Sequence, residues 1–343
     1  MKNQIFAMAA LAAALLASCN KETEMINPAP EARPDGASVT ITLSSGDDAQ
    51  TRAFFDATAT AEVWEKSLSS LSVFTFNTSG ELLLRRDFTV SELASKSATF
   101  SLPKSAAGTE CSFYAVANYD ASSAKTKSAL TALVEKSAGD YNGTFADVST
   151  KALRSGGFVM SGSTTKTVGA VNTSTQVGIS LKRTVAKVAL QTTIAPEFSE
   201  KYPGSITINS VKLSRAASQS LVVAGTPSTG AMSYTHTQTP GTASSKYNSL
   251  FYLYETGTLD AGSRVLLEIN ATYDSDGSSS TSDDRSDVTY SVELTGKAAG
   301  QILRNGYYRV AANITGLVGQ DCQVSVTVAD WETPVTQSVD LGA

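Results

Sequence analysis

Short stretches in which apolar and polar residues alternate recur along most of the chain. Such alternation with a period of two gives a β-strand one apolar and one polar face. Clusters of glycine, serine, asparagine and aspartate separate the stretches, as expected for turns. The predicted strands are 39–43, 71–76, 98–102, 112–118, 177–190, 206–213, 250–254, 265–273, 288–294, 307–315 and 323–328. Many short strands of this kind predict an all-β fold built of β-sandwiches.

Two segments interrupt this pattern and are predicted to be helices, at 58–68 and 123–136. The second carries its apolar side chains on one face and begins after a serine that can cap it. The total of 343 residues fits two domains. We place their boundary within the long strand-like run near Lys182, which gives domains at 53–182 and 183–343.

The N-terminus has the layout of a secretory signal over residues 1–18. Lys2 is followed by an apolar run, and small residues precede Cys19. The run is shorter than the roughly 20 residues that a membrane-spanning helix needs. Leu16-Ala17-Ser18-Cys19 is the pattern at which bacteria cleave and lipidate a precursor, so we expect acyl chains on Cys19 and anchoring in a membrane. The alternative is an ordinary signal peptide with an incidental cysteine.

The polar stretch that follows lacks periodicity and is rich in proline, glutamate and asparagine. Such a composition is typical of a flexible tether. We therefore interpret 19–52 as a propeptide that connects the anchor to the folded part of the protein.

The sequence shows no catalytic motif. The single histidine, His236, lies in a serine- and threonine-rich run that we interpret as an exposed loop, and it lacks the partners of a nucleophile–base pair or a zinc site. We expect no enzyme activity and no cofactor. The net charge of −5 and the absence of a basic cluster argue against nucleic-acid binding.

A metal site is not expected either. The acidic stretch 274–287 begins with Asp-x-Asp-Gly, as calcium-binding loops do, but its twelfth position is Arg285 where such loops carry a glutamate. We interpret it as a solvated hairpin tip. Cys111 and Cys322 lie far apart in the sequence and are interpreted as small buried residues, with a disulfide as the alternative. Trp64 and Trp331 are interpreted as core residues, with sugar stacking as the alternative.

Several segments, in this order and at this spacing, resemble those of one family. They are the lipobox LLASCNK, the sequence Thr51-Arg52-Ala53-Phe54, the segments 113–118 and 182–190, and the C-terminal segment VSVTVADW at 324–331. The chain resembles the fimbrillins, which are the type V pilins of the Bacteroidetes and include FimA-like major fimbrial subunits.

The resemblance implies two transthyretin-like β-sandwich domains and a lipoprotein precursor carried to the outer membrane. It further implies that an arginine-specific protease cuts after Arg52, leaving Ala53 as the new N-terminus, and that subunits are joined by strand exchange. Arg33 is a poor competitor for the protease because Pro34 follows it. An ordinary solvated arginine in a linker is the alternative interpretation of Arg52.

Two segments could serve as exchangeable strands. Val39, Ile41 and Leu43 form one apolar face in the segment that cleavage would remove. Val335, Val339 and Leu341 share a parity near the C-terminus, with Gln337 between them. We expect the first strand to fill a groove in the 53–182 domain of the precursor. The C-terminal strand of another copy would replace it after cleavage.

These observations predict a stalk subunit of a cell-surface fimbrium, with other copies of itself, related subunits and the protease as partners. One alternative is a surface lipoprotein that binds glycan or another ligand and never polymerises. A tip or accessory fimbrial adhesin is the other.

Overall fold

The computed structural model describes residues 36–44, 64–136, 138–143, 156–227, 231–240, 246–278, 280–296, 299–318, 327–330 and 336–341. Within these residues the strands are β1 (Ala37–Ser44), β2 (Leu71–Phe76), β3 (Leu82–Asp87), β4 (Ser97–Leu102), β5 (Glu110–Ala117), β6 (Val134–Glu135), β7 (Met160–Thr167), β8 (Ser174–Ser180), β9 (Lys182–Arg183), β10 (Val185–Ile194), β11 (Ser205–Ala216), β12 (Ser220–Leu221), β13 (Tyr234–Gln238), β14 (Lys246–Tyr254), β15 (Leu266–Asp274), β16 (Arg285–Glu293), β17 (Gly306–Ile314), β18 (Thr327–Asp330) and β19 (Thr336–Leu341).

The helices of the described residues are short. The α-helices are α1 (Val90–Ser95), α2 (Lys127–Thr131) and α3 (Pro196–Lys201), and single 3₁₀ turns lie at Trp64–Lys66, Lys104–Ala106 and Ala138–Tyr141. The predicted all-β class with minor helices is therefore confirmed.

Strands β1 to β5 and β7 to β9 form the N-terminal sandwich. One sheet has the order β3-β2-β5-β7-β9 and the other the order β4-β1-β8. Their inward side chains meet in one buried core, in which Val73 and Phe113 of the first sheet share a cluster with Ile41 and Phe100 of the second. The period-2 alternation of the sequence thus separates a core face from an outer face.

Strands β10, β11 and β13 to β19 form the C-terminal sandwich. One sheet has the order β14-β10-β17-β18, with β19 also paired to β17, and the other has the order β13-β11-β15-β16. Leu190 and Phe251 of the first sheet pack in one cluster with Leu213 and Ile269 of the second. The predicted sandwich architecture is confirmed for both halves of the chain.

The two sandwiches are in close contact. The chain passes from one to the other at Thr184, between β9 and β10, close to the boundary predicted at 182/183. The core of the N-terminal sandwich continues onto residues of β10, β14 and β17. Trp64 and Phe158 lie against Tyr252 of β14, with ring centroids 5.8 and 4.9 Å from that tyrosine. That the two sandwiches are independent domains stays a prediction.

A buried ion pair fixes this junction. Glu65 is fully buried, and its carboxylate lies 2.9 Å from the ammonium of Lys187 on β10. The hydroxyl of Tyr252 donates a hydrogen bond of 2.6 Å to the same carboxylate. Arg183 donates to the backbone carbonyl of Glu65 at 2.8 Å and to the side chain of Asn305 at 2.9 Å. The 3₁₀ turn Trp64–Lys66 is thereby attached to both sandwiches.

The predicted helices differ from those observed. In the described part of 58–68 there is only the 3₁₀ turn held by these contacts, and 58–63 lie outside the described residues. The predicted helix 123–136 shortens to α2, because Thr126 caps it by accepting a hydrogen bond from the Ala129 N–H at 3.1 Å. Beyond α2 the chain extends as β6 and pairs with β12, so tertiary pairing prevails over helix propensity.

The run predicted as one strand over 177–190 is divided among three sheets. Strands β8, β9 and β10 occupy it in succession. The Leu181 N–H donates to the Ser44 carbonyl and the Thr184 N–H to the Val159 carbonyl. The chain changes partner at these two residues, although its apolar pattern continues across them.

Substituting Lys187 with methionine should lower the free energy of unfolding by about 3–5 kcal/mol, because Glu65 would be left as a buried charge without its cation. Urea denaturation of the full chain measures this loss. Changing Glu65 to glutamine as well should restore much of it.

Lys212→Met is the matched control. Lys212 pairs with Glu268 at the same distance of 2.9 Å, but both side chains are partly exposed. Its removal should cost at most about 1 kcal/mol. Equal losses in the two variants would contradict the role assigned to the buried pair.

Candidate strand-exchange site

Strand β1 lies in the middle of the smaller sheet of the N-terminal sandwich. It pairs antiparallel with β4 over six residue pairs and parallel with β8 over seven. Val39 and Ile41 have no exposed surface and Leu43 is 5% exposed. The predicted removable strand therefore pairs within the N-terminal sandwich and directs its apolar face into that core.

Further hydrogen bonds hold both ends of β1 and its outer face. The Ser38 N–H donates to the Thr173 carbonyl at 3.1 Å, and the Leu43 N–H donates to the Lys96 carbonyl at 2.9 Å. On the outer face the hydroxyls of Thr40 and Thr99 lie 2.9 Å apart. The strand is thus integrated along its whole length.

Neither neighbour of β1 has another strand partner in its sheet among the described residues. The order β4-β1-β8 places β4 and β8 on opposite sides of β1. Without β1, both would expose a row of unpaired backbone groups beside an open apolar trough. The sheet therefore needs a strand in this slot, whatever the source of that strand.

The proposed cleavage residues Arg52 and Ala53, the lipidation residue Cys19 and the competing arginine Arg33 lie outside the described residues. Strand β1 ends at Ser44, and the next described element begins at Trp64, where the chain joins the junction. Arg52 is thus located in the sequence between the removable strand and the first attachment of the remaining chain.

Two other arginines lie on β3, inside the fold. Arg86 is 1% exposed and pairs with Glu92 at 2.9 Å, and Arg85 pairs with Asp87 at 2.9 Å. A protease can cut an ordered strand only after local unfolding. Arg154, another arginine that the protease could recognise, lies outside the described residues.

The candidate donor strand β19 lies at the edge of a sheet in the C-terminal sandwich. It pairs parallel with β17 over six residue pairs, in which Val339 lies opposite Ala312 and Leu341 opposite Ile314. Val335 lies outside the described residues. Within the described chain β19 pairs with one neighbouring strand, whereas β1 pairs with two.

The prediction that His236 lies in an exposed loop was wrong. It lies in β13, the edge strand next to β11, where its ring stacks on that of Tyr234 with centroids 6.4 Å apart. Burial raises the pKa of Tyr234 to about 12, although a hydrogen bond with Asn142 opposes the shift, so its hydroxyl stays protonated. The serine- and threonine-rich sequence was mistaken for a loop, although such residues also suit an exposed strand.

Cys111 was interpreted as a small buried residue and Trp64 as a core residue, and the structure agrees with both interpretations. Cys111 is buried on β5 as a free thiol, and burial raises its pKa above the ordinary value. It is therefore a poor nucleophile. Trp64 packs against the core of the N-terminal sandwich. Cys322 and Trp331 lie outside the described residues.

Comparisons with known proteins identify the class of protein. Residues 37–207 match the family model described as major fimbrial subunit protein FimA. This range begins with β1 and includes both of its neighbouring strands. The chain belongs to the FimA-like fimbrillin family, and this membership supports a fimbrial or adhesive role at the cell surface. The family consists of structural subunits rather than enzymes.

Solved structures show the same fold at low sequence identity. A candidate cell adhesion protein from Parabacteroides distasonis is 16% identical with a TM-score of 0.58, over 89% of this chain and 99% of the other. A candidate cell adhesion protein from Bacteroides eggerthii is 19% identical with a TM-score of 0.56, over 92% and 99%. The tip fimbrial protein Mfa3 from Porphyromonas gingivalis, truncated at its C-terminus, is 13% identical with a TM-score of 0.52, over 86% and 99%. A comparison with curated protein sequences gives no match.

None of the helices in the described ranges combines the length and the apolar character needed to cross a membrane.

Substituting Ile41 with alanine should destabilise the precursor by about 2–5 kcal/mol, because a fully buried aliphatic side chain in the central strand would leave a cavity. Thr42→Ala is the matched control, since the neighbouring side chain is exposed on the same strand. It should change stability by no more than about 0.5 kcal/mol. Chemical denaturation measures the loss of unfolding free energy in both variants. Equal losses would contradict the central position of β1.

Proposed function

We propose that the chain is a stalk subunit of a cell-surface fimbrium, exported as a lipoprotein precursor anchored to the outer membrane through Cys19. An arginine-specific protease cuts it after Arg52, and subunits then polymerise by exchange of β-strands. The observation that carries this proposal is the position of β1. A segment ahead of the cleavage residue supplies the central strand of a sheet.

The difference in pairing between the two strands supports the direction of exchange. Among the described residues strand β19 pairs on one side only, over six residue pairs, whereas the slot of β1 offers pairs on two sides, six with β4 and seven with β8. A donor that leaves its edge position for the slot of another copy gains a second ladder. Each additional hydrogen bond contributes about 0.5–1.5 kcal/mol net.

The apolar face of the slot supplies the larger contribution. Burying Val39, Ile41 and Leu43 stabilises the precursor by about 5–9 kcal/mol at 1.5–3 kcal/mol for each side chain. A donor strand must replace most of this stabilisation by burying Val335, Val339 and Leu341. Their parity allows all three to point the same way, and a slip by one residue would turn them to the outer face.

Cleavage alone does not empty the slot, because β1 stays bound by its two ladders and its buried face after the peptide bond is cut. Its covalent link ensures a high local concentration before cleavage, and that advantage is lost afterwards. After cleavage β1 no longer has a higher local concentration than the donor strand of another subunit. That donor strand can then compete for the slot and displace β1. Such head-to-tail contacts do not close on themselves and extend as a filament.

Treating the purified full-length precursor with an arginine-specific protease should produce one cut that leaves Ala53 first, followed by ladders that resist SDS. N-terminal sequencing and electrophoresis measure the two results. Arg52→Lys keeps the positive charge and should block both. Digestion at many sites, or a cleaved product that stays monomeric, would favour the surface lipoprotein that binds a ligand and does not polymerise.

Deleting residues 335–343 should abolish the ladders after cleavage and leave the monomer folded, because β19 lies at an edge and completes no slot of its own sandwich. Mixing the deleted chain with intact, cleaved chain should still allow one joint, since the acceptor slot is unchanged. Gel electrophoresis shows the joint, and circular dichroism confirms the fold. Unchanged ladders would place the donor strand elsewhere in the chain.

A further inference from the structure

Three aspartates converge at the tip of the hairpin formed by β15 and β16. Asp274 ends β15, Asp276 follows it in the turn, and Asp284 directly precedes β16. One carboxylate oxygen from each lies within 4.8 Å of the other two. The hairpin brings Asp284 back to residues eight and ten positions earlier in the chain.

Two of these carboxylates each have an oxygen without a hydrogen-bond donor among the described residues. Asp274 is only 8% exposed, and its Oδ2 accepts a hydrogen bond from Arg285 at 3.0 Å, while its Oδ1 is buried and unpaired. Asp284 Oδ2 accepts from the Ser275 hydroxyl at 2.7 Å and from the Asp276 N–H at 2.8 Å, while its Oδ1 is likewise buried and unpaired. Buried polar atoms in native proteins almost always have a partner.

We propose that this hairpin tip binds a Ca²⁺ ion, with one carboxylate oxygen from each of Asp274, Asp276 and Asp284 as ligands. Ca²⁺ binds six to eight oxygens at about 2.3–2.6 Å, so ligands on opposite sides of the ion are about 5 Å apart. Three oxygens within 4.8 Å of one another can therefore contact one ion after at most small shifts of the side chains. Water and nearby backbone or hydroxyl oxygens complete the shell.

The charges at the tip favour a cation. Arg285 is the one basic residue in the stretch 274–287, and it contacts Asp274 only through Oδ2. One guanidinium does not balance three carboxylates.

The expectation of a merely solvated tip relied on the spacing of helix–loop–helix calcium sites, in which a glutamate at the twelfth position closes the loop. A β-hairpin has a different geometry. Asp284 is the eleventh residue counted from Asp274. It returns to the first and third residues, Asp274 and Asp276, because β15 and β16 pair as far as Asp274 and Arg285. The arginine at the twelfth position instead orients Asp274.

The tip is also packed tightly against the start of β11. A Cβ atom on Gly204 would lie 2.1 Å from the backbone oxygen of Asp274 and 2.6 Å from that of Ser275. An ion that closes the hairpin would therefore also fix this end of the C-terminal sandwich. The inference goes beyond the proposed polymerisation and does not depend on it.

Isothermal titration of the full chain with CaCl₂, after removal of bound metal with a chelator, should show one saturable site and a rise in the melting temperature. Asp276→Asn and Asp284→Asn should each weaken binding at least tenfold. Asparagine can still accept the hydrogen bonds of Asp284, so the second variant should melt like the wild-type chain when no calcium is present. Mg²⁺ should bind more weakly, because it prefers a smaller octahedral shell.

Asp283→Asn is the matched control. It removes the same charge from an exposed neighbour that is not one of the three converging aspartates, and it should leave binding unchanged. Absence of saturable binding up to about 10 mM, ten times the weakest affinity typical of extracellular calcium modules, would overturn the proposal. An equal loss in Asp283→Asn would overturn it too, because it would show a diffuse charge effect and no defined site.

Discussion

The double pairing of β1 is the interaction on which the N-terminal sandwich depends. The larger sheet of this sandwich is a five-stranded array in which β1 takes no part, whereas the smaller sheet consists of β1 and its two neighbours. Because β4 and β8 are joined only by β1 among the described strands, the loss of this one strand removes the whole sheet and exposes one face of the core. A strand of eight residues thus controls whether the sandwich has one layer or two. This dependence is the physical basis of the proposed strand exchange.

The proposed exchange of the central strand requires a second region that holds the remaining parts of the fold together. The junction between the sandwiches provides it, since the core around Phe158 and Tyr252 joins β14 to the N-terminal sheets and the ion pair of Glu65 with Lys187 lies within it. Strands β6 and β12 add a short ladder, and Arg304 binds Glu255 and the backbone of Leu221 beside it. Neither the ion pair, nor the β6–β12 ladder, nor the contacts of Arg304 involve β1. The chain after Trp64 therefore keeps its attachments when the strand before the cleavage residue is changed.

The sequence predicts those elements whose side chains alternate between core and surface. Strand 71–76 was predicted with its observed bounds, and 39–43 lies within β1, because both carry apolar residues that the core requires. Elements decided by their partners were not predictable in this way. The split of 177–190 depends on carbonyls of Ser44 and Val159, which are distant in sequence. Helix α1 was missed although Thr89 and Glu92 form a capping box, a local signal that could have found it. The convergence of three aspartates at the β15–β16 tip likewise follows from hairpin register and not from spacing alone.

The proposed exchange places different physical requirements on its two strands. A donor must leave its own sandwich without opening it, which is possible for a strand at a sheet edge, where β19 lies among the described residues. A replaceable strand must lie in the middle of a sheet, because only there does its successor gain two ladders and a buried face. Such a strand cannot leave while a continuous linker joins it to the rest of its domain. The linker returns the strand to the slot faster than a second molecule can bind. A protease site between the strand and the first fixed residue removes this advantage at one peptide bond. In this sequence Arg52 lies between Ser44 and Trp64, where that single cut would separate the strand and spare every contact of the junction.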